Sequence, residues 1–368
     1  MNLLYLRWIT TILWESSGAW GGGYKQPVVI AEKSKTDISS YSKYTKEYIK
    51  VETAEEGYEV LMRRFSNQSV PPFLFTCDDR TMEYLDNRYD EWKDKFIGFN
   101  AGSQGRITQF MNKFTILELA KKHGLKTLDT ICVDKGIVPD GMEYPVITKS
   151  ISPVIGGWKS DVHICRTREE LEAAYGKIKA SKVIIQKYID KKNEYCIDGF
   201  RVKKGNVMFN AIESTYNYLI PGYYSPYMTV RNFSQPKLGE AFAGMMEEIG
   251  FEGIYSIEFL IDQDDNYYFS EINFRNSTWS YAATKAGMNL PLLWARCMVD
   301  GIVPEETKIP EGFTAMVEPI DYGKRVKTGK AAFGEWLRDF KEADCPFYYS
   351  SDDIEPFLYM CRNWEKLS

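Results

Sequence analysis

The chain has 368 residues, 44% of them hydrophobic and 26% charged, with a formal net charge of -5. That balance belongs to a folded globular protein, and the length exceeds what one hydrophobic core organises. The acidic excess offers no footprint for wrapping nucleic acid or an anionic membrane. Two or three domains and small-molecule partners are therefore expected.

Near the start, the apolar Leu3, Leu4 and Leu6 give way to Arg7 and Glu15, short of the ~20 residues needed to span a bilayer. No basic segment precedes them as it would in a secretory leader, so a cytoplasmic protein is expected. Trp20-Gly21-Gly22-Gly23 lacks the GxGxxG spacing and no clear helix follows, so it reads as a turn rather than a phosphate loop. Apolar runs at 27–31, 72–76 and 95–99 alternate with polar, helix-compatible stretches such as 54–65, the rhythm of a small α/β layer domain.

Ile107, Phe110, Met111, Phe114, Leu117 and Ala120 recur at helical spacing, with Gly124 where a helix is capped. One helix containing Lys113 is expected there. Strand candidates at 130–133 and 144–149 precede a glycine-bearing loop over 152–160, and Thr167 with Glu170 forms a capping box for a helix burying Leu171, Ala174, Tyr175 and Ile178. A buried strand is expected at 183–189, an antiparallel pair at 195–202 and 207–212, and a helix over 237–249. A second hairpin joins 255–261 to 267–274 across Asp262-Gln263-Asp264-Asp265-Asn266. The residues beyond about 305 form an extension dense in aromatic and charged side chains.

The seven cysteines are scattered and never spaced as CxxC, and His123 and His163 are the only histidines. Zinc sites, disulfide frameworks and Ser-His-Asp machinery are thus poorly supported, and chemistry falls to carboxylates, lysines, arginines and amides.

The hairpin is the richest segment. Because strand side chains alternate, Glu271, Asn273 and Arg275 share one face while Ile272 and Phe274 take the other, and Glu258 stands opposite Ile257 and Phe259. Two carboxylates and an amide oxygen then converge, a hard oxygen set suited to Mg2+ with substrate phosphates completing the shell. A solvated polar sheet face accounts for the same pattern. Lys149 ends an apolar strand before Gly156, Gly157, Lys159 and Ser160, which offer backbone N–H groups and charge to phosphate. Either lysine, Lys113 or Lys149, is equally at home on a surface. Gln186 and its neighbours Lys187 and Ile189, with Glu194, suit the adenine edge and the ribose hydroxyls, or a hinge strand. Arg231 and the tyrosines Tyr216, Tyr218, Tyr223, Tyr224 and Tyr227 are candidates for an acceptor pocket or for packing.

Taken in order from about 107 to 300, these segments resemble the ATP-grasp superfamily. Asn112-Lys113 is similar to the helix carrying the family's first ATP lysine, and Pro145-Val146-Ile147-Thr148-Lys149 to the strand carrying the second. Residues 156–162 occupy the place of its mobile glycine-rich loop. Ile185-Gln186-Lys187-Tyr188-Ile189 with Glu194 resembles the adenine and ribose segment, and Glu258 with Glu271-Ile272-Asn273-Phe274-Arg275 the magnesium motif and its following arginine. Asp161 where relatives often carry glycine, bulky Trp158, and Phe274 in place of a frequent proline are departures.

The resemblance implies an α/β N-terminal domain (1–106), an α+β ATP-grasp fold whose two subdomains (107–190 and 191–305) clamp ATP, and an extension (306–368). It implies ATP and Mg2+, replaceable by Mn2+, as cofactors. Small-molecule carboxylate and amine substrates, without nucleic acid or membrane, are its implied partners, and a homodimer is compatible with it. The reaction implied is carboxylate phosphorylation followed by attack of an amine, with ADP and phosphate released. Lys113, Lys149, Gly156, Gly157, Lys159, Ser160, Gln186, Lys187, Ile189 and Glu194 would hold ATP, and Glu258, Glu271 and Asn273 the metal. Arg275 and Lys149 would act on the transferred phosphoryl group, with Arg231 and Arg275 on the substrate. The tail around Trp336-Leu337-Arg338-Asp339 looks closest to carboxylate-amine ligases and carbamoyl-phosphate-synthase-like proteins. A bicarbonate- or carbamate-phosphorylating enzyme and a non-catalytic ATP-binding module are the rival readings.

Overall fold

A computed structural model of the chain describes residues 10–14, 27–32, 37–152, 158–221 and 224–363. Its first layer is a five-stranded sheet in the order Glu47–Val51, Val28–Glu32, Thr10–Trp14, Phe73–Phe75, Ile97–Gly98. The Thr10–Trp14 strand runs antiparallel to both neighbours, while the outer pairs are parallel. The expected helix at 54–65 is the observed Ala54–Phe65, started by Thr53, whose hydroxyl accepts the Glu56 N–H at 3.2 Å. It buries Val60, Leu61 and Phe65 with Val28, Ile30 and Val51 of the sheet.

A four-stranded antiparallel sheet follows in the order Thr130–Asp134, Lys182–Lys187, Val146–Ser150, Ile164–Cys165. Its helix Arg168–Tyr175 begins at Thr167, which accepts the Glu170 N–H at 3.3 Å, while the Glu170 carboxylate accepts the Arg166 N–H at 2.6 Å. Leu171, Ala174 and Tyr175 close a small core against Val146, Val183 and Ile185.

The largest element is a seven-stranded sheet, ordered Tyr267–Asn273, Gly253–Ile261, Asn193–Val202, Val207–Tyr216, Tyr227–Arg231, Thr314–Met316, Cys345–Pro346. Residues past 305 contribute its last two strands, and their helix Glu355–Arg362 reaches the N-terminal layer, where Tyr359 stacks on Tyr41 with ring centroids 4.1 Å apart. Trp294 meets Phe73, Phe75 and Phe99 edge-on at 5.1–5.6 Å, welding the first layer to the central core.

One expectation needs correcting. The apolar period from Ile107 to Ala120 is carried by two helices, Arg106–Phe110 and Lys113–Lys122. Asn112 interrupts them because its side-chain oxygen accepts the N–H groups of Phe114 and Thr115 at 3.0 and 3.2 Å, capping a new helix. Lys113 is therefore the first residue of a helix rather than an interior one.

Candidate active site

The hairpin pairs as its turn implies, with Glu258 opposite Glu271, Ile257 opposite Ile272 and Ser256 opposite Asn273. Ile257 and Phe259 face the helix Pro236–Ile249, whose Phe242 lies 5.6 Å from the Phe259 ring. Glu258, Glu271 and Asn273 consequently share the other face. Asn273 Nδ2 donates to Glu258 Oε1 at 2.9 Å, and Asn273 Oδ1 accepts from Arg275 Nη2 at 3.0 Å. Glu271 is ion-paired with Lys113, delivered by the capped start of its helix. Burial and the charge of Glu194 push the Glu258 carboxyl up, against the pull of Lys113, Arg275 and the Asn273 amide.

Across from this face stands Lys149, on the four-stranded sheet. Its ammonium donates to Gln186 Oε1 at 2.9 Å, and Gln186 Nε2 donates to Thr130 Oγ1 at 2.9 Å. Burial pushes the ammonium down to about 8, helped by the positive charges of Lys113 and Lys191 and opposed by Glu194 and Glu258. The Lys113 N–H donates to the Ile151 carbonyl at 2.7 Å, which ties the chain just past the Lys149 strand to the helix start that pairs with Glu271. Glu194, one strand from Glu258, is ion-paired with Lys191 and bonded by the buried Tyr216 hydroxyl.

The site therefore unites Lys113, Lys149, Glu194, Glu258, Glu271, Asn273 and Arg275 from separate segments spread between residues 113 and 275. Other candidates fare differently. Gly156 and Gly157 lie outside the described residues. Ser160 is exposed at the end of the turn Trp158–Asp161 that also contains Lys159. Asp161, which stands where relatives often carry glycine, is fully buried and accepts the N–H groups of Lys179 and Ala180 at 2.8 and 3.2 Å, pinning the loop's return. Lys187 is exposed and Ile189 half-buried just past the strand.

Two candidates stand in surroundings the sequence does not foretell. The Gln186 amide is 4% exposed, its oxygen accepting from Lys149 and its nitrogen donating to Thr130. Arg231 is exposed and pairs with Glu213, on the face of the sheet opposite Glu258, because an odd-numbered offset along the strands turns it away. Of the described tyrosines among the candidates, Tyr216 touches the site. Tyr218 donates to Asp321 of the C-terminal segment, Tyr227 lies 5.9 Å from Arg325, and Tyr224 packs on the main core. Tyr223 is outside the described residues.

Sequence reasoning missed Thr130, Lys191 and Asp79. Asp79 accepts Arg275 Nε at 2.8 Å and Nη2 at 3.2 Å. Its signal was available, since Asp78-Asp79 follows the end of the Phe73–Phe75 strand, where parallel α/β layers open their crevices.

The donors fit a hard divalent cation. Among the described residues no three Asp, Glu, His or Cys side chains form a complete cage; two carboxylates and one amide oxygen make the partial set that Mg2+ takes when phosphates and water supply the rest. The raised, partly buried Glu258 is a carboxylate short of countercharge, and Asn273 Oδ1 retains a second lone pair beside its bond to Arg275.

Residues 124–299 match the family model described as the carbamoyl-phosphate synthase L chain, ATP binding domain. Among curated proteins, the chain is 24% identical over 277 residues to a pyruvate carboxylase subunit from Methanothermobacter thermautotrophicus, a match covering 65% of this chain and 54% of that protein. The chain thus spans about half the length of that relative. N5-carboxyaminoimidazole synthetase from Staphylococcus aureus, solved in complex with ADP, superposes with a TM-score of 0.61 at 17% identity, over 86% of this chain and 80% of that one. L-amino acid ligase from Bacillus licheniformis gives 0.55 at 16% identity, over 74% and 67%.

Proposed function

We propose that this chain is a member of the ATP-grasp superfamily, whose fold it has: an N-terminal α/β layer followed by a four-stranded and a seven-stranded sheet. From that premise we propose that it is an ATP- and Mg2+-dependent, ADP-forming ligase. It phosphorylates a carboxylate to an acyl phosphate and passes the acyl group to an amine, the substrate being an amino acid or a molecule like one. The observation that carries this reading is the convergence of Glu258, Glu271 and Asn273 with Lys113, Lys149 and Arg275 in one cleft.

Glu258, Glu271 and Asn273 would hold Mg2+, which supplies charge neutralisation on the terminal phosphates. Lys113 and Lys149 bind phosphate oxygens, and Glu194 takes the ribose hydroxyls. A carboxylate oxygen of the substrate forms a bond to the γ-phosphorus as the bond to ADP breaks. The positive charge of Arg275, beside Asn273, offsets charge on the transferred group. The amine then forms the amide bond while phosphate departs and the amine proton passes to solvent. Positioning and electrostatics account for this chemistry without histidine. The likeness to an L-amino acid ligase supports an amine acceptor.

A second reading, phosphorylation of bicarbonate or carbamate by the same residues, is favoured by the likeness to the pyruvate carboxylase relative. A screen of amino acids, small carboxylates and bicarbonate for stimulated ADP release tests both. Stimulation that needs an organic carboxylate and an amine together supports ligation. Stimulation by bicarbonate alone transfers the case to the second reading, and binding of ATP without any turnover to a non-catalytic module.

A further inference from the structure

A guanidinium has five N–H donors, and Arg275 directs four of them into the protein. Nε and Nη2 grip the two oxygens of Asp79 at 2.8 and 3.2 Å, Nη2 also reaches Asn273 Oδ1 at 3.0 Å, and Nη1 reaches the Asn276 carbonyl at 3.3 Å. Asp79 is 196 residues away in sequence and opens the helix Asp79–Asp86 of the N-terminal layer. The pair is enclosed, with the side chains 18% and 24% exposed. A backbone bond from Asn276 N–H to the Thr76 carbonyl at 3.1 Å fastens the same junction. On its other side Asn273 continues to Glu258. A carboxylate of the N-terminal layer is thereby linked through Arg275 and Asn273 to a carboxylate of the central hairpin.

Asp79 occupies the edge of the guanidinium that would grip an oxyanion with two parallel bonds, leaving one Nη1 hydrogen for a substrate. A substrate anion that displaced Asp79 would strand a partly buried carboxylate without countercharge. The pair is therefore retained, and its consequence is orientation. We propose that Asp79 is a positioning residue for phosphoryl transfer: it fixes the guanidinium of Arg275 so that its free N–H and its charge meet the transferred group, making the N-terminal layer a working part of the active site. This rests on the ligase reading above.

The test is a double-mutant cycle. Asp79→Asn, which keeps the shape and removes the charge, and Asp79→Ala should each lower kcat for ADP release by ~10-fold or more, the scale of a misplaced catalytic group. MgADP affinity should be unchanged, each variant should stay folded at the assay temperature as read by its thermal unfolding curve, and Asp79→Glu should recover part of the rate. In an Arg275→Ala background, Asp79→Ala should cost nothing further. An arginine Nε–H resonance, assigned by its loss in Arg275→Ala, should exchange slowly in the wild type and in Asp79→Glu and rapidly in Asp79→Ala. Additive losses in the cycle, or a slow Nε–H that survives Asp79→Ala, would overturn the proposal. A wild type that releases no ADP with any carboxylate counts instead against the ligase reading, because the resonance reports on the pair without turnover.

Discussion

Alternate residues of the same strands give the seven-stranded sheet two faces of opposite character. On one, Tyr195, Ile197, Ile257 and Phe259 pack beneath Phe242 and Met245 of a single helix, almost wholly buried. On the other, Glu194, Glu258, Glu271 and Asn273 keep carboxylates and an amide at the cleft, with Glu258 raised by its own burial. The first face gains from removal of water, by roughly 25 cal/mol per Å2 of apolar surface. The second keeps partly desolvated carboxylates beside cations, Glu271 paired with Lys113 and Glu194 with Lys191. On the proposed reading, stability and chemistry take opposite sides of one hairpin, and substitutions one residue apart should separate them.

The largest effect expected is on the packed face. Phe259→Ala should lower unfolding free energy by ~3–5 kcal/mol, the usual range for a buried phenylalanine, measurable by denaturant titration. Across the sheet, Glu271→Gln should reduce kcat by ~10²-fold or more, the scale of losing one electrostatic contact to the transition state, while leaving the melting temperature near the wild-type value. Loss of folding in Glu271→Gln, or full activity, would dissolve the division between faces.

Smaller effects sharpen the comparison at the facing sheet. Lys149→Ala and Glu194→Ala should each weaken ATP binding by ~1–3 kcal/mol, as expected for hydrogen bonds to charged groups, read by calorimetric titration. Burial, then the neighbouring positive charges, push Lys149 down from 10.5 to about 8. Bound phosphate favours the ammonium, so ATP affinity should be full below pH 8 and decline above it, with proton uptake on binding. Lys149→Arg, charged throughout, should abolish that decline; an identical pH profile would remove Lys149 from the phosphate site. At the smallest end, Arg231→Ala should leave nucleotide affinity and kcat unchanged, because Arg231 sits beside Glu213 on the face opposite Glu258.

The hairpin was legible because period-two alternation and a five-residue polar turn are local signals, and Glu258, Glu271 and Asn273 fall where alternation puts them. The helix Pro236–Ile249 is equally plain from its apolar stripe. The break at Asn112 is hidden because Met111 continues the apolar period, while a single capping side chain restarts the helix. The setting of Gln186 is not legible because its partner Thr130 is 56 residues distant, and Asp79 escapes notice because it meets Arg275 only after two layers have packed. The strands Thr314–Met316 and Cys345–Pro346 are too short to carry a pattern and exist because a long sheet edge accepts them. Arg231 has the right chemistry, and only the register of Glu213 against it settles which face it takes.

Carboxylate activation through an acyl phosphate leaves an isotopic record. With the substrate carboxylate labelled by 18O, the enzyme should release ADP together with inorganic phosphate carrying one 18O atom, seen as an upfield shift of the 31P resonance. The oxygen that bonded to the γ-phosphorus stays with phosphorus when the amine takes the acyl group. Recovery of the label in AMP, with pyrophosphate as co-product, would contradict the account.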